Sequence, residues 1–115
     1  MKVYQYPKCS TCRSALKWLD AKGLAYESQD LVAQVPSKAA LTDLYKRSKL
    51  PLAKFFNTSG ESYRNGGFKE KLKTMSESDA LSALAADGKL IKRPIVDAGA
   101  LVLVGFKEEE FAKLL

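Results

Sequence analysis

Two cysteines, Cys9 and Cys12, stand where a short apolar run gives way to an amphipathic one. The first run, residues 1–4, is typical of a buried strand, and the second has the apolar spacing of a helix that stops at Gly23. The unpaired amides and the positive dipole end of that helix would face Cys9 and favour its thiolate. Cys12 would lie one turn further on, within reach of any group bonded to Cys9. The spacing therefore predicts a strand-to-helix turn that carries a reactive thiol.

Three interpretations of the cysteine pair are open at this point: redox chemistry, inert packing in a core, and half of a zinc site. Zinc needs more ligands than this, and the chain holds only these two cysteines and no histidine. Lys8 and Arg13 add positive charge near the same sulfur. Redox chemistry is the favoured interpretation, and it requires no metal or organic cofactor.

The length and the absence of targeting segments limit where the protein works. A chain of 115 residues is expected to form one domain, spanning 1–115, without a disulfide scaffold. It has no apolar run of membrane-spanning length and no signal-peptide pattern, so no membrane association is expected. We expect a cytoplasmic protein, since close cysteine pairs in that compartment are more often catalytic or sensing than structural.

The net charge of +6 indicates attraction to anions. The basic residues are scattered, and the densest clusters, at 46–49 and 69–73, have the spacing of solvated helix faces. No nucleic-acid-binding motif accompanies them, so direct nucleic-acid binding is not expected. An oxyanion substrate or an acidic protein partner suits the charge.

The order of predicted elements indicates an α/β fold. An extended segment at 24–31 completes a right-handed βαβ unit with parallel strands. Helices then follow over about 37–88, with caps at Ser37 and Ser76 and interruptions at Asn57–Gly60 and Asn65–Gly67. A hairpin that turns at Asp97–Ala100 and a final helix at 108–115 close the chain. This is the order of a thioredoxin-like fold, with a mixed sheet built from βαβ and a C-terminal ββα, and a central helical insertion.

Four segments together resemble the arsenate reductase (ArsC) and Spx branch of the thioredoxin-like superfamily. They span nearly the whole chain in that family's order. The segments are Tyr6-Pro7-Lys8-Cys9-Ser10-Thr11-Cys12-Arg13, then Phe55-Phe56-Asn57-Thr58-Ser59-Gly60 with Tyr63-Arg64, then Lys92-Arg93-Pro94-Ile95, and finally Val104-Gly105-Phe106.

The resemblance implies roles for the site residues. Cys9 matches the nucleophile, Cys12 the resolving thiol and Arg93 a cation beside the anion or thiolate. Pro94 matches a cis proline that faces the nucleophile, as X-Pro bonds permit. The remaining members of the implied anion pocket are Arg13 and the backbone amides at the helix start, which belong to Ser10, Thr11 and Cys12.

The family contains two kinds of function. The first hypothesis is an arsenate reductase-like thiol–disulfide oxidoreductase that acts on a small oxyanion or a disulfide. It would form an internal Cys9–Cys12 disulfide and take electrons from an external thiol such as glutathione, glutaredoxin or thioredoxin. The alternative is an Spx-like redox-sensing transcriptional regulator that binds the α subunit of RNA polymerase. The reductases place two further arginines around the oxyanion, and this chain has Asn57 and Gly105 at the matching positions.

Overall fold

The computed structural model describes all 115 residues and contains one four-stranded mixed sheet. Its strands are β1 (Lys2–Gln5), β2 (Glu27–Asp30), β3 (Ile95–Asp97) and β4 (Val102–Val104). They lie in the order β2-β1-β3-β4. β1 and β2 are parallel, whereas β1 and β3, and β3 and β4, are antiparallel. The predicted βαβ unit and C-terminal hairpin are thus confirmed.

The pairing register of β1 with β3 decides which loops meet. Lys2 pairs with Asp97 and Tyr4 with Ile95, so each step forward along β1 is one step back along β3. Continuing that register beyond both strands places Tyr6 opposite Arg93. The loop that leaves β1 and the residues that precede β3 therefore come together at one edge of the sheet.

Six α-helices surround the sheet, and most lie between β2 and β3 in the chain. They are α1 (Ser10–Ala21), α2 (Lys38–Ser48), α3 (Glu61–Asn65), α4 (Phe68–Lys71), α5 (Glu77–Ala86) and α6 (Glu108–Phe111). Short 3-10 helices occupy Leu52–Phe55, Gly88–Leu90 and Ala112–Leu114. None of the helices has both the length and the apolar character needed to cross a lipid bilayer.

The helix caps follow the sequence prediction. The Ser37 hydroxyl accepts from the Ala40 amide at 3.1 Å, and the Ser76 hydroxyl accepts from the Asp79 amide at the same distance. Each bond satisfies one amide that the first helical turn leaves without a partner. The starts of α2 and α5 were therefore readable from the sequence.

Several predicted boundaries were wrong. The strand expected over 24–31 is limited to Glu27–Asp30. The segment between the two interruptions is helical, forming α3, and the run expected from Phe68 to Met75 is helical only as far as Lys71. The final helix changes to 3-10 form after Phe111. Gly67 has φ of +68°, a conformation that glycine adopts without a steric penalty, and it separates α3 from α4.

The two faces of the sheet are covered by different parts of the chain. Tyr4 and Ile95 pack against the central helices in a cluster of 13 buried residues that includes Phe55 and Phe56. Val3 and Val96 alternate to the opposite face, where they pack in a cluster of six buried residues drawn partly from α1 and α6. This alternation follows from the two-residue period of a strand. α1 is thereby fixed against the sheet, with its N-terminus at the edge where β1 ends.

Candidate active site

Cys9 is the N-cap residue of α1, as the sequence predicts. Its backbone is extended, with φ of −94° and ψ of 119°. Its amide donates to the Tyr6 carbonyl at 3.0 Å, and its carbonyl accepts from the Arg13 amide at 3.1 Å. These two bonds close the turn on one side and begin the helix on the other. The Cys9 side chain therefore stands at the positive end of α1.

The first turn of α1 has free hydrogen-bond donors. No backbone carbonyl accepts from the amides of Ser10, Thr11 or Cys12. Both Ser10 and Thr11 are exposed, so an anion could approach their amides from solvent. An array of this kind binds an oxyanion or stabilises a thiolate. The geometry is compatible with the predicted anion pocket.

The surroundings of Cys9 favour its thiolate. Partial burial raises the pKa of Cys9, but the amide and thiol of Cys12 and the guanidinium of Arg93 outweigh it, so the pKa lies below its ordinary value. The Cys9 side chain has no capping hydrogen bond with the backbone of α1, so the groups that lower its pKa act on the sulfur from nearby positions. Cys9 is half-buried, which leaves the sulfur accessible. It combines the two properties that a nucleophilic thiol needs.

Cys12 has the opposite character. It is completely buried, and this burial is the main cause that raises the pKa of Cys12 to about 12. The backbone of Tyr6 opposes that rise, whereas the neighbouring Cys9 adds to it. Both cysteines are free thiols in the structure. At neutral pH Cys12 is therefore a protonated thiol beside an ionisable one.

Arg93 is the cation that lies beside Cys9. Its guanidinium lies over the Tyr6 ring, 5.2 Å from the centroid, and donates to the Lys89 carbonyl at 3.2 Å. The salt bridges of the protein involve Arg47, Lys73 and Lys113, and none involves Arg93. Its positive charge is therefore not neutralised by a carboxylate, and it acts on the Cys9 sulfur.

The other two side chains of the predicted site are those of Pro94, which precedes β3, and Arg13, which is exposed on α1. The Arg93–Pro94 bond is cis, as the resemblance implies, and Pro94 is buried immediately before β3. Arg13 is exposed and donates to the Pro7 carbonyl at 3.1 Å. Arg13 thus braces the turn before Cys9, and Arg93 is the cation beside the sulfur. Arg13 is close to Cys9 in the sequence, but the cation that the fold places beside the Cys9 sulfur is Arg93.

Sequence reasoning missed Tyr6 and Lys89 as parts of the site. Tyr6 contributes its ring to Arg93 and its carbonyl to Cys9, while Lys89 contributes a carbonyl. That carbonyl also receives the side-chain amide of Asn57, at 3.5 Å. The signal that could have found Tyr6 is the strand register, which places it opposite Arg93. No sequence pattern identifies a backbone carbonyl such as that of Lys89.

The fold and the site together define a class. A mixed sheet whose first strand leads through Cys-x-x-Cys into a helix, beside a cis proline that precedes an antiparallel strand, is thioredoxin-like. The ArsC family model matches residues 4–114, and the chain belongs to the ArsC family.

The relatives of this chain include an uncharacterized protein and a regulatory protein. The chain is 53% identical over 111 residues to the uncharacterized protein YusI of Bacillus subtilis, a match that covers 96% of this chain and 94% of YusI. It is 23% identical to the regulatory protein MgsR of the same organism, covering 99% of this chain and 89% of MgsR.

Solved structures agree on the fold. An ArsC family related protein from Bacteroides fragilis superposes with a TM-score of 0.97 at 44% identity, covering 99% of this chain and 96% of that one. An arsenate reductase from Vibrio cholerae gives a TM-score of 0.87 at 28% identity, covering 100% of this chain and 98% of that one. These proteins share the thioredoxin-like arrangement of sheet and helices.

Proposed function

We propose that the protein is a thiol–disulfide oxidoreductase that reduces its substrate with the Cys9 and Cys12 pair. The observation that carries the proposal is the contrast between the two thiols, one accessible with a lowered pKa and the other buried and protonated. A thiolate is the attacking form of cysteine, so Cys9 is the nucleophile and Cys12 is the resolving thiol. The Vibrio cholerae relative named arsenate reductase supports the same class of chemistry.

The reaction runs in two displacements. The Cys9 thiolate attacks a sulfur of a disulfide, its lone pair forms the new S–S bond, and the far sulfur leaves as a thiolate. Cys12 then loses its proton and attacks the Cys9 sulfur, and the second half of the substrate leaves with the electron pair. The substrate gains two electrons and the protein gains an internal Cys9–Cys12 disulfide. Two external thiols, from glutathione, glutaredoxin or thioredoxin, return the pair to the reduced form.

An oxyanion such as arsenate would be reduced by the same two displacements. Cys9 attacks the central atom and displaces an oxygen, which leaves as water after protonation. Cys12 then attacks the Cys9 sulfur, and the central atom leaves with the electron pair of the broken bond, two electrons richer. The free amides of the first turn of α1 and the charge of Arg93 would hold the oxyanion oxygens.

The state of Cys9 controls when Cys12 reacts. In the reduced protein the Cys9 sulfur is one of the groups that raise the pKa of Cys12, after burial. When Cys9 becomes part of a mixed disulfide, its sulfur no longer carries negative charge and that contribution disappears. The resolving thiol is therefore easier to ionise only after the first displacement has occurred. This order limits formation of the Cys9–Cys12 disulfide in the absence of substrate. The reductants of a cytoplasm would return an oxidised pair to the dithiol form.

The test is turnover with matched variants. Reduction of oxidised glutathione should be followed with thioredoxin and its reductase as the electron source, and reduction of arsenate with either that pair or glutathione plus glutaredoxin. Cys9→Ser should abolish turnover of any substrate that the wild type reduces. Cys12→Ser should retain the first displacement and accumulate a mixed disulfide, visible as an adduct in the intact mass. Turnover that survives in Cys9→Ser would refute the proposal.

A second candidate function is a redox-sensing regulator that binds the α subunit of RNA polymerase. The observation that favours it is the relative named regulatory protein MgsR, which matches over nearly the full length of this chain. The same disulfide would then be a switch, with no substrate to turn over. A binding assay with the purified C-terminal domain of the α subunit distinguishes the two. Binding that depends on the oxidation state and is lost in Cys9→Ser would favour the regulator.

A further inference from the structure

We propose that Tyr6 is a positioning residue that holds the Arg93 guanidinium against the Cys9 sulfur by a cation–π contact. The inference rests on the proposed role of Cys9 as the nucleophile, and it adds a residue that the cysteine motif does not include. It starts from the contact itself, in which the guanidinium carbon lies 5.2 Å from the centre of the Tyr6 ring. That distance is within the range where the negative face of an aromatic ring attracts a cation.

The strand register explains why these two residues meet. Tyr4 pairs with Ile95, and two further steps along each strand bring Tyr6 opposite Arg93. Tyr6 and Arg93 lie just beyond the ends of the two paired strands, next to the buried pair of Tyr4 and Ile95. The pairing of β1 with β3 therefore brings the two residues together.

The chemical nature of the anchor is what makes it useful. Arg93 is held by the ring of Tyr6 and by the carbonyl of Lys89, at 3.2 Å, and it has no carboxylate partner. A carboxylate would hold the guanidinium equally firmly, but its negative charge would cancel the field at the sulfur and disfavour a thiolate. A ring and a carbonyl have no net charge. They position Arg93 and leave its full positive charge available to Cys9.

The backbone of Tyr6 reaches the thiols as well. Its carbonyl accepts from the Cys9 amide at 3.0 Å, and its backbone opposes the rise that burial causes in the pKa of Cys12. Tyr6 thus contacts Cys9 through its backbone and Arg93 through its ring. Because backbone contacts survive substitution of the side chain, the contribution of the ring can be tested separately.

The test is the pH profile of Cys9 alkylation, read by peptide mass spectrometry on the full-length reduced protein without substrate. Tyr6→Leu should raise the measured pKa of Cys9 by roughly half a pH unit, whereas Tyr6→Phe, which keeps the ring, should leave the profile at its wild-type position. In an Arg93→Ala background, Tyr6→Leu should have no further effect, since the ring acts only through Arg93. A Tyr6→Leu shift that is equally large without Arg93 would overturn the proposal.

A second series keeps the shape of the ring and guards against a Tyr6→Leu protein that does not fold. Phenylalanines with increasing fluorine content, incorporated at position 6, progressively remove the negative charge from the ring face. The pKa of Cys9 should rise with fluorine content, and a flat series would contradict the proposal. Since the readout is the thiol pKa and not turnover, an inactive protein with the expected profile would refute the proposed function and retain this inference.

Discussion

The buried thiol of Cys12 lies one helical turn from Cys9 and is one of the groups that lower the pKa of Cys9 against the effect of burial. The pair divides the work of a redox site through burial. Cys12 is wholly enclosed, whereas Cys9 is half-exposed at the end of α1. Their proximity lowers the pKa of Cys9 and adds to the rise that burial gives the pKa of Cys12, because it stabilises the Cys9 anion and disfavours a second negative charge beside it. Two thiols of identical chemistry thereby acquire different reactivity.

The first prediction concerns selective alkylation. In the reduced native protein, iodoacetamide at pH 7 should modify Cys9 at least about tenfold faster than Cys12, because Cys9 is accessible and has a lowered pKa, whereas Cys12 is buried and has a raised one. The adducts are assigned by peptide mass spectrometry after brief exposure. Unfolding in guanidinium chloride should equalise the two rates, which serves as the control. Comparable labelling of Cys12 in the native protein would contradict the burial on which its role depends.

The second prediction concerns stability at alkaline pH. A thiol whose folded pKa is raised favours the folded state while it is protonated. That stability is fully present below the pKa of the unfolded thiol and is lost as pH rises towards about 12. From pH 8 to pH 10.5 the wild type should lose about 2 kcal/mol more unfolding free energy than Cys12→Ala.

Urea titrations of both proteins at the two pH values measure the difference. The cavity left by Cys12→Ala lowers stability at every pH and cancels when each protein is compared with itself. Apart from Cys9, whose pKa depends partly on the Cys12 side chain, the other groups that ionise in this range are common to both proteins. An equal loss in wild type and variant would show that Cys12 titrates normally.

The third prediction concerns the contact between the helical insertion and the sheet. Arg47 of α2 donates to both carboxylate oxygens of Asp97 at 2.6 and 2.8 Å, and also to the Gly99 carbonyl at 2.7 Å. Arg47→Met retains the aliphatic stem and removes these three bonds together with two to Asp43, so the melting temperature should fall by a few degrees. The matched control is Lys73→Met, which breaks the more exposed ion pair with Glu70 and should change the melting temperature little.

The pH dependence of the same contact has a definite sign. Hydrogen bonding to Arg47 is the main cause that lowers the pKa of Asp97. A carboxyl with a depressed folded pKa contributes stability that is present above its unfolded pKa and is lost as pH falls through the folded value. The melting-temperature difference between wild type and Arg47→Met should therefore shrink below about pH 4, near the ordinary pKa of aspartate. A difference that persists at pH 2 would point to packing and not to charge.

Local sequence signals were sufficient for the elements that begin at a cap. Ser37, Ser76 and Cys9 each mark a helix start where the structure has one, because capping involves only residues within one turn. α3 was not found, because five residues are too few for an apolar period and its N-cap is a glycine without a side-chain bond. Its boundaries depend on tertiary packing. The ends of β2 also depend on tertiary packing, so the extended segment predicted at 24–31 is longer than the observed strand, Glu27–Asp30.

The candidate site was predictable in its reactive residues and not in their supports. The Cys-x-x-Cys spacing at a helix start identified Cys9 and Cys12 from local chemistry alone. The resemblance implied both Arg13 and Arg93 as cations of the site, and the antiparallel pairing of β1 with β3 explains why Arg93 lies beside Cys9. Pairing of strands separated by some ninety residues is a property of the whole fold. The ring of Tyr6 and the carbonyl of Lys89 follow from that pairing and have no local signature.

The last prediction links a distant glycine to the thiol. Gly88 begins the 3-10 helix that presents the Lys89 carbonyl to Arg93, and a methyl group at Gly88 would overlap the carbonyl oxygen of Leu31. Backbone atoms cannot move aside as a flexible side chain does, so Gly88→Ala should destabilise the protein by about 3 kcal/mol. The control is Gly23→Ala, where open space surrounds the new methyl and only the positive φ is penalised, at about 1 kcal/mol.

Displacement of the Lys89 carbonyl should also loosen Arg93 and raise the pKa of Cys9 in Gly88→Ala but not in Gly23→Ala. Urea unfolding and the alkylation profile measure the two effects separately, and a destabilised Gly88→Ala protein with an unchanged Cys9 profile would show that Arg93 does not depend on that carbonyl.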